Sequence, residues 1–564
     1  MLPHGQALRL GARRAFGARN GCQPLGQWSR GPSTLTPVAA AAAAPSGGAA
    51  VAVTAAPAPT LAASATPVAA APSSDFSQRF RMLSVADQFR ETRQKLCREF
   101  LGGGLLYLEA GEAPPRNGSD VFHRHRSCSY FVYVTGVELP GYAALVDPET
   151  GHYTLLAPRL PEEASYWVGA VPTLDQLQEQ YGADRVCYVD ELKSLLAAQG
   201  SSTRQLHTLP TTAEKLAGKL PEGWRLLSDL LPATLDRCRA AKTDGEVACL
   251  LAASVASGGA HMDMWRACRP GLREYQLEAV FSLSSRCRGA PSPGYPSIVG
   301  SGPNAAVMHY EAADGRVEAG HLVLVDAGAE WRCYTADISR TFPASGRFEG
   351  AARDLYGTVL AAQHAALDTL AAAPPPGTGG ASLQDADRAA RVVLLEGLRS
   401  MGLLRSGAAA GNGSWLEAAL DLKVDRVFMP HGIGHHLGLD VHDVSETGPV
   451  PKGAVQPGHV LTVEPGGYLI PPLLARARAD PRVAPFVDFD AAEALIRAGL
   501  GGVRIEDNVV VLAEAPVAAA AATAGLQGRL FNLTVAAGVA KEMAEVEEVM
   551  RQEWRPEAAM VMMG

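Results

Sequence analysis

Residues 322–342 read LVLVDAGAEWRCYTADISRTF, two β-rich arms on either side of a turn. The midpoint between Asp326 and Asp337 falls between Trp331 and Arg332, and a hairpin turning there would place the two aspartates directly opposite each other. Their Cβ atoms would then be roughly 5 Å apart. Carboxylates that close repel unless a positive charge lies between them, and a metal ion is the simplest candidate. For these two residues alone, solvated aspartates near a turn would be the better interpretation.

A histidine-rich segment, MPHGIGHHLGLDVHD at 429–443, changes that balance. Its glycines argue against a regular helix that would pair His431 with His435, and the HExxH pattern of zinc proteases is missing. Glycines at this spacing instead let the backbone approach another group closely. A lone histidine is more often structural, but this cluster favours a site.

Two further segments place acids on buried strands. In GHVLTVEPGGYLI (458–470), Glu464 ends a strand just before Pro-Gly. In GVRIEDNVVVL (502–512), Glu506 lies inside an otherwise apolar strand, with Arg504 on the same face. A buried Arg and Glu must be paired or hold a metal, so a simple Arg–Glu ion pair is the plainer alternative.

Four carboxylates and one imidazole carry a charge that two divalent cations would neutralise. Oxygen-rich ligation favours Mn²⁺ or Co²⁺ over Zn²⁺. Two such ions can hold a bridging hydroxide and polarise a carbonyl, which predicts a metallopeptidase. The predicted metal ligands are Asp326, Asp337, His435, Glu464 and Glu506.

Composition excludes several other classes. The 564 residues carry a formal net charge of -8, which argues against a nucleic-acid partner. No run approaches the ~18 apolar residues of a membrane-spanning helix, so no membrane association is expected. The nine cysteines are scattered singly and indicate a reducing compartment.

The N-terminal region predicts a targeting segment. Before Asp75 there is no Asp, Glu or Lys, but there are five arginines, followed by an Ala/Pro/Ser-rich stretch. We expect residues 1–75 to be disordered and to be a transit peptide for a mitochondrion or chloroplast. A low-complexity tail without an address, on a cytoplasmic protein, is the alternative.

The rest of the chain divides into three parts. Residues 76–235 predict a small α/β domain, in which 142–158 form a hairpin around Asp-Pro-Glu-Thr-Gly. Residues 236–515 contain the four motif segments, and 516–564 an Ala-rich stretch followed by an amphipathic helix. The expected fold class is α+β, with a larger C-terminal catalytic domain.

The ordered motifs DAG, TADISRTFP, HGIGHHLGLDVHD, LTVEPG and GVRIED resemble those of the pita-bread metallopeptidases, the methionine aminopeptidase, aminopeptidase P and prolidase group. The long N-terminal domain, and segments 120–147 and 294–310, are similar to the proline-specific branch. The resemblance implies a pita-bread domain behind an aminopeptidase-P-like N-terminal domain, two divalent metal ions, most simply Mn²⁺, and a homodimer.

The resemblance also implies residue roles. Asp326, His435 and Glu464 would bind single metals, whereas Asp337 and Glu506 would bridge both, and Glu464 would also be the general base. Residues that would contact the substrate, line the pocket or support a ligand are His309, His442, His431, Tyr295 and Arg504.

One departure bears on the substrate, which the resemblance implies is a peptide with proline at its second position. Relatives carry an arginine-rich loop after VHD, but residues 444–459 contain no arginine and only Lys452 as a basic residue. Lysine clamps a carboxylate poorly, so both an Xaa-Pro dipeptidase, or prolidase, and an aminopeptidase P acting on longer peptides stay open. A non-catalytic binding protein, or a metal-free creatinase-like hydrolase, would require the five ligands to be replaced.

Overall fold

A computed structural model of the chain describes residues 79–161, 163–198, 204–372, 380–405, 414–444, 448, 452–514 and 525–556. The predicted transit segment, 1–75, lies outside these ranges. So do residues 515–524 of the Ala-rich stretch, and 445–447 and 449–451 of the arginine-free segment.

The N-terminal part is built around one six-stranded sheet with helices between its strands. The strand order is β4-β3-β2-β1-β5-β6, antiparallel in the central β1–β2 and β2–β3 pairs and parallel elsewhere. Its elements are α1 Val85–Glu99, β1 Leu105–Glu109, α2 Ser129–Thr135, β2 Ala143–Val146, β3 Tyr153–Ala157, α3 Ala164–Val168, α4 Leu174–Tyr181, β4 Arg185–Tyr188, α5 Leu192–Ala198, β5 Gln205–His207, α6 Pro210–Leu216, β6 Arg225–Leu227 and α7 Leu230–Ala240.

Local chemistry explains the hairpin of β2 and β3. Asp147 Oδ1 accepts hydrogen bonds from the amides of Glu149 at 3.0 Å and Thr150 at 3.4 Å. Gly151 follows with a φ of 75°, a conformation that glycine adopts without strain. The chain therefore reverses where the sequence predicted a turn, and β2 pairs with β3.

In the described residues of the C-terminal part, four smaller sheets lie among long helices. The sheets are β12-β9-β8, β11-β10-β7, β13-β16-β18-β17 and β14-β15. Its elements are α8 Asp244–Ala267, α9 Glu274–Cys287, β7 Ser292–Pro293, β8 Ile298–Ser301, β9 Leu322–Asp326, β10 Ala329–Trp331, β11 Tyr334–Thr335, β12 Ser339–Pro343, α10 Gly350–Ala371, α11 Leu383–Ser400, α12 Trp415–Asp421, α13 Asp425–Phe428, β13 Val460–Val463, β14 Gly466–Tyr468, α14 Pro471–Ala479, α15 Phe489–Arg497, β15 Gly502–Arg504, β16 Asp507–Val511, β17 Leu526–Gln527, β18 Leu530–Asn532, α16 Leu533–Ala536 and α17 Met543–Arg551.

The predicted hairpin at 322–342 forms, but with a different register. Asp326 pairs with Ser339, so Asp337 is its diagonal neighbour and the prediction of directly opposed aspartates was wrong. The turn lies one position later than predicted, at Arg332 and Cys333, whose φ values of 49° and 65° fit a two-residue hairpin turn. Because the register differs by two residues and the side-chain period of a strand is two, both aspartates still share one face.

The segment that carries Glu506 is two strands rather than one. β15 ends at Arg504 and pairs with β14, whereas β16 begins at Asp507 and pairs with β13 and β18. Glu506 lies at the crossing between these sheets, where its amide donates to Ser339 O at 3.0 Å. The prediction of one continuous strand was wrong. An apolar run indicates that residues are buried, but not that they belong to one strand, and here the chain stays buried where one strand ends and the next begins.

Helix α8 is the central helix of the C-terminal part and packs against α9, α16 and α17. It begins with a capping box, in which Thr243 and Glu246 each accept a hydrogen bond from the other's backbone amide. Among the described residues it alone is long and apolar enough to span a membrane, and 78% of its apolar window is buried inside the protein. Its apolarity therefore matches its position in the core.

The glycines of the long helices supply a stability test. A Cβ at Gly258 of α8 would lie 2.3 Å from Val539 Cγ2, so Gly258→Ala should destabilise the protein by about 1–3 kcal/mol through overpacking. In α10 a Cβ at Gly357 meets only Met543 Cε, at 3.8 Å, so Gly357→Ala should stabilise it by about 0.5–1 kcal/mol. Urea unfolding midpoints should move in opposite directions, and shifts of the same sign would contradict this packing.

Candidate active site

The five predicted metal ligands converge on one site, and the four acids among them lie where a strand ends or breaks. Asp326 is the last residue of β9, Asp337 lies between β11 and β12, and Glu464 directly follows β13. Glu506 lies between β15 and β16, and His435 comes from the glycine-rich segment after α13. Asp337, His435 and Glu506 offer ligand atoms that all lie within 4.8 Å of one another.

Tyr295 joins the two aspartates. Its hydroxyl oxygen lies 2.7 Å from Asp326 Oδ1 and 2.7 Å from Asp337 Oδ1. Gly328 makes room beside them, because a Cβ there would lie 1.8 Å from Ala336 O and 3.1 Å from the Tyr295 ring. The predicted pocket residue Tyr295 therefore directly contacts two of the predicted ligands.

Arg504 pairs with Asp326 rather than with Glu506. Its Nη2 lies 2.6 Å from Asp326 Oδ2, and its Nε donates to Ser339 Oγ at 2.8 Å. Ser339 Oγ in turn donates to Glu506 Oε2 at 2.7 Å. The expected support of Glu506 by Arg504 is therefore indirect, through a serine that the sequence interpretation did not single out. The available signal was its place two residues after Asp337, on the same face of that arm of the hairpin.

The orientation of His435 is fixed by its backbone and by one ring nitrogen. Its amide donates to Thr462 Oγ1 at 3.1 Å, and its Nδ1 lies 2.9 Å from His436 O. Because a carbonyl only accepts, Nδ1 carries the hydrogen and Nε2 faces the acids, 3.4 Å from Asp337 Oδ2 and 3.5 Å from Glu464 Oε1. A Cβ at Gly434 would lie 2.0 Å from Thr462 O, so the close approach predicted for these glycines occurs here.

Burial and mutual repulsion change the proton affinities of the cluster. Burial, with the charge of Asp337 adding to it, raises the pKa of Asp326 to about 6 despite Arg504. Burial raises the pKa of Glu464 to about 7. Burial alone would lower the pKa of His435, but its hydrogen bond to Asp337 and the charge of Glu464 raise it to about 9.

This donor set suits divalent metal ions. When all four acids are ionised, Arg504 and a protonated His435 offset only two of their four negative charges, so the site then attracts cations. Carboxylate oxygens with one imidazole nitrogen are suitable ligands for a pair of such ions. The residues that would hold them are the five predicted ligands.

The remaining predicted histidines lie at different distances from the cluster. His431 Nε2 lies 2.9 Å from the Tyr468 hydroxyl, and its Nδ1 lies 3.9 Å from Glu464 Oε2. The His442 ring crosses the His435 ring edge to face, with centroids 4.4 Å apart. Desolvation lowers the pKa of His442, and the charges of His435 and His309 lower it further. His309 is exposed and lies near enough to His442 for its charge to act on that ring.

A buried ion cluster, not predicted from the sequence, holds the loop that carries His442. Asp443 Oδ1 lies 2.5 Å from Arg239 Nη2, and its Oδ2 lies 2.9 Å from Lys242 Nζ. Arg239 also binds Asp440 Oδ2 at 2.7 Å. Because Arg239 is on α7 and Lys242 precedes α8, the connection between the two parts of the chain fixes this loop.

The raised pKa of Glu464 predicts a pH-dependent stability in metal-free protein. A raised folded-state pKa contributes stability below the unfolded value, near 4.5, and that contribution is lost as pH rises through about 7. Glu464→Gln carries no such charge, so with chelator present the variant should match the parent at pH 5 and unfold at a higher temperature at pH 8. If the melting temperatures of the parent and the variant differed by the same amount at pH 5 and at pH 8, the raised pKa of Glu464 would be contradicted.

Comparison with known proteins identifies the families and relatives that this chain resembles. Residues 248–513 match metallopeptidase family M24, and residues 89–207 match the aminopeptidase P N-terminal domain. Xaa-Pro dipeptidase from Homo sapiens is 34% identical over 455 residues, which cover 75% of this chain and 88% of the relative. A probable Xaa-Pro aminopeptidase from Verticillium alfalfae is 31% identical over 425 residues, covering 72% and 87%.

Solved structures show the same architecture. The structure of aminopeptidase PepP from Pseudomonas aeruginosa aligns with a TM-score of 0.66 at 29% identity, covering 83% of this chain and 98% of that chain. The fold class and family resemblance predicted from the motifs are confirmed. The chain belongs to metallopeptidase family M24 and has an aminopeptidase P-like fold, in which an N-terminal domain precedes a pita-bread catalytic domain.

Proposed function

We propose that this protein is a two-metal peptidase that hydrolyses Xaa-Pro bonds, with Mn²⁺ as its metal. The observation that carries the proposal is the convergence of four carboxylates, two of them buried and two partly buried, and one oriented imidazole at a single site. Relatives named Xaa-Pro dipeptidase and probable Xaa-Pro aminopeptidase support the substrate class. The predominance of oxygen donors supports Mn²⁺ over Zn²⁺.

The metal ligands proposed are those predicted from the sequence. Asp326, His435 and Glu464 would each bind one ion, and Asp337 and Glu506 would bridge the pair. When bound, two such ions supply Lewis acidity and a nucleophilic water. Hydrogen bonds with Tyr295, Ser339, Thr462 and Arg504 hold the proposed ligands in place.

Glu464 is proposed to move the proton that the nucleophile must lose. Burial raises the pKa of this carboxylate to about 7, which supports a role in holding and releasing a proton near neutral pH. His435 lies 3.5 Å from one of its oxygens and His431 3.9 Å from the other. Neutral His431, whose pKa burial and Arg504 lower to about 3, adds no competing charge.

His442 and His309 are proposed to contact the substrate. His442 crosses the His435 ring and so stands beside the metal ligands, where its ring can donate to a developing oxyanion. His309 is exposed and lies near enough to influence His442. This arrangement suits an Xaa-Pro bond, because the imide nitrogen carries no hydrogen and recognition must act through the carbonyl and the pyrrolidine ring.

The length of the substrate depends on what binds its carboxylate. A dipeptidase needs a cation near the site for the proline carboxylate, and the segment 444–459 offers only Lys452. We propose dipeptidase activity on the likeness to Xaa-Pro dipeptidase. The missing arginines favour aminopeptidase P activity on longer peptides as a second candidate.

One assay separates these candidates. Chelator-treated protein reloaded with Mn²⁺ is expected to cleave Gly-Pro, and the rate is compared with that on Gly-Pro-Xaa tripeptides. Cleavage of the tripeptide alone would replace the dipeptidase with an aminopeptidase P.

Glu506→Gln, which keeps an acceptor for Ser339, should fold and lose more than about 100-fold in kcat, because the loss of a metal ligand costs more than the loss of a residue that only contacts a ligand. Unchanged hydrolysis by this variant would refute the two-metal proposal.

We also propose a homodimer, supported by an exposed apolar helix in the N-terminal domain. In α3, Tyr166, Trp167 and Val168 are 80%, 86% and 68% exposed, which is unusual for adjacent large apolar residues. Light scattering of purified protein is expected to give twice the 59.1 kDa chain mass, and the double change Tyr166→Asp and Trp167→Asp to give the monomer. A dimer that survives both changes would contradict a contact through α3.

A further inference from the structure

The segment Gly525–Arg551 lies beyond the family match at 248–513, yet it packs behind the metal site. Its strand β18 pairs with β16, the strand that begins one residue after Glu506. Helix α16 follows β18 directly, and α17 packs on α8. The C-terminal segment therefore forms the layer behind the strand that leads away from Glu506.

The main contact is made through Asp507, which is completely buried. Its Oδ1 lies 2.7 Å from Arg340 Nη2, and its Oδ2 accepts from Lys541 Nζ and from Asn532 Nδ2, each at 2.7 Å. Two of these three partners, Lys541 and Asn532, belong to the C-terminal segment. Arg340 is also tied to it, because its Nε donates to Ala540 O at 2.9 Å.

Lys541 reaches the ligand-bearing backbone through Gln363. Its Nζ donates to Gln363 Oε1 at 2.9 Å, and because an ammonium only donates, this contact fixes which end of the amide faces Lys541. Gln363 Nε2 then faces two carbonyls, Ile505 O at 3.2 Å and Val463 O at 3.4 Å. Ile505 immediately precedes Glu506, and Val463 immediately precedes Glu464.

Two further contacts end on peptide groups of metal ligands. Arg340 Nη1 donates to Glu506 O at 2.7 Å. Thr534 of the C-terminal segment accepts from the amide of Asn508 at 2.9 Å, and Asn508 Oδ1 accepts from the amide of Asp337 at 3.0 Å. The network therefore reaches the backbone of Glu464, Glu506 and Asp337, rather than ending in the remote core.

We propose that the C-terminal segment is a positioning element of the metal site and that Lys541 is its principal positioning residue. By neutralising Asp507 and orienting Gln363, Lys541 holds the peptide groups beside Glu464 and Glu506 in the geometry that binds metal. This inference rests on the proposed two-metal function. A role limited to general stability is the alternative that the experiment must exclude.

The test compares two variants that each lose one largely buried cation. Lys541→Met removes a side chain that is 12% exposed, and Arg288→Met removes one that is 14% exposed and is paired with Asp263 at 2.9 Å, outside the network just described. Mn²⁺ binding to the full-length, chelator-treated protein is measured by calorimetry, and melting temperature is measured separately. Lys541→Met is expected to weaken Mn²⁺ binding about 10–100-fold, as losses of outer partners of metal ligands do, whereas Arg288→Met should keep the parent affinity.

The other possible results would overturn either the role of Lys541 or the two-metal function. Parent-like affinity in Lys541→Met, or equal weakening in both variants, would overturn the inference. Absence of Mn²⁺ binding by the parent would instead refute the proposed two-metal function. Lys541→Arg keeps the cation and should recover most of the affinity. If Lys541→Met does not fold, Thr534→Val supplies the test, because it removes only the acceptor for Asn508 and should weaken binding through Asp337.

Discussion

Repulsion among four buried or partly buried carboxylates is the constraint on which the rest of this site depends. Each acid needs a compensating partner, and three different groups supply it. Asp326 has Arg504, Asp337 has His435, and Glu506 has the hydroxyl of Ser339. Glu464 shares His435 with Asp337 and keeps a pKa of about 7. Because these partners compensate only part of the charge, the site retains a strong attraction for divalent cations.

The scaffold brings the acids together by interrupting strands. A residue at a strand end has backbone groups that the regular ladder does not use, and these groups find individual partners here. The amide of Glu506 donates to Ser339 O, that of Glu464 to Ile433 O, and that of Asp337 to Asn508 Oδ1. Such bonds hold each ligand's backbone against an element from another part of the chain. The resulting rigidity keeps like charges close that would otherwise separate.

The fold class and the convergence of the five candidate ligands on one site could be predicted from the sequence, because both depend on local patterns. The shared face of Asp326 and Asp337 follows from the two-residue period of a strand, so it is unaffected by the error in the turn position. The pairing of side chains that are distant in the sequence could not be predicted in this way. Nothing near Arg504 in the sequence indicates that its carboxylate is Asp326, 178 residues away, because that pairing depends on how two sheets meet. The same holds for the contacts of Lys541 and Arg239.

The negative charge of Asp507, a neighbour of the proposed ligands, must be neutralised by other residues. It follows Glu506 directly, and an uncompensated carboxylate there would compete for the same cations. The chain prevents this by surrounding Asp507 with Arg340, Lys541 and Asn532, whose donors occupy both of its oxygens. A carboxylate saturated in this way has little tendency to take a metal ion, and its bonds instead fix the peptide that joins it to Glu506. Adjacent acids can thus serve different purposes, because one faces the cation site and the other faces two protein cations.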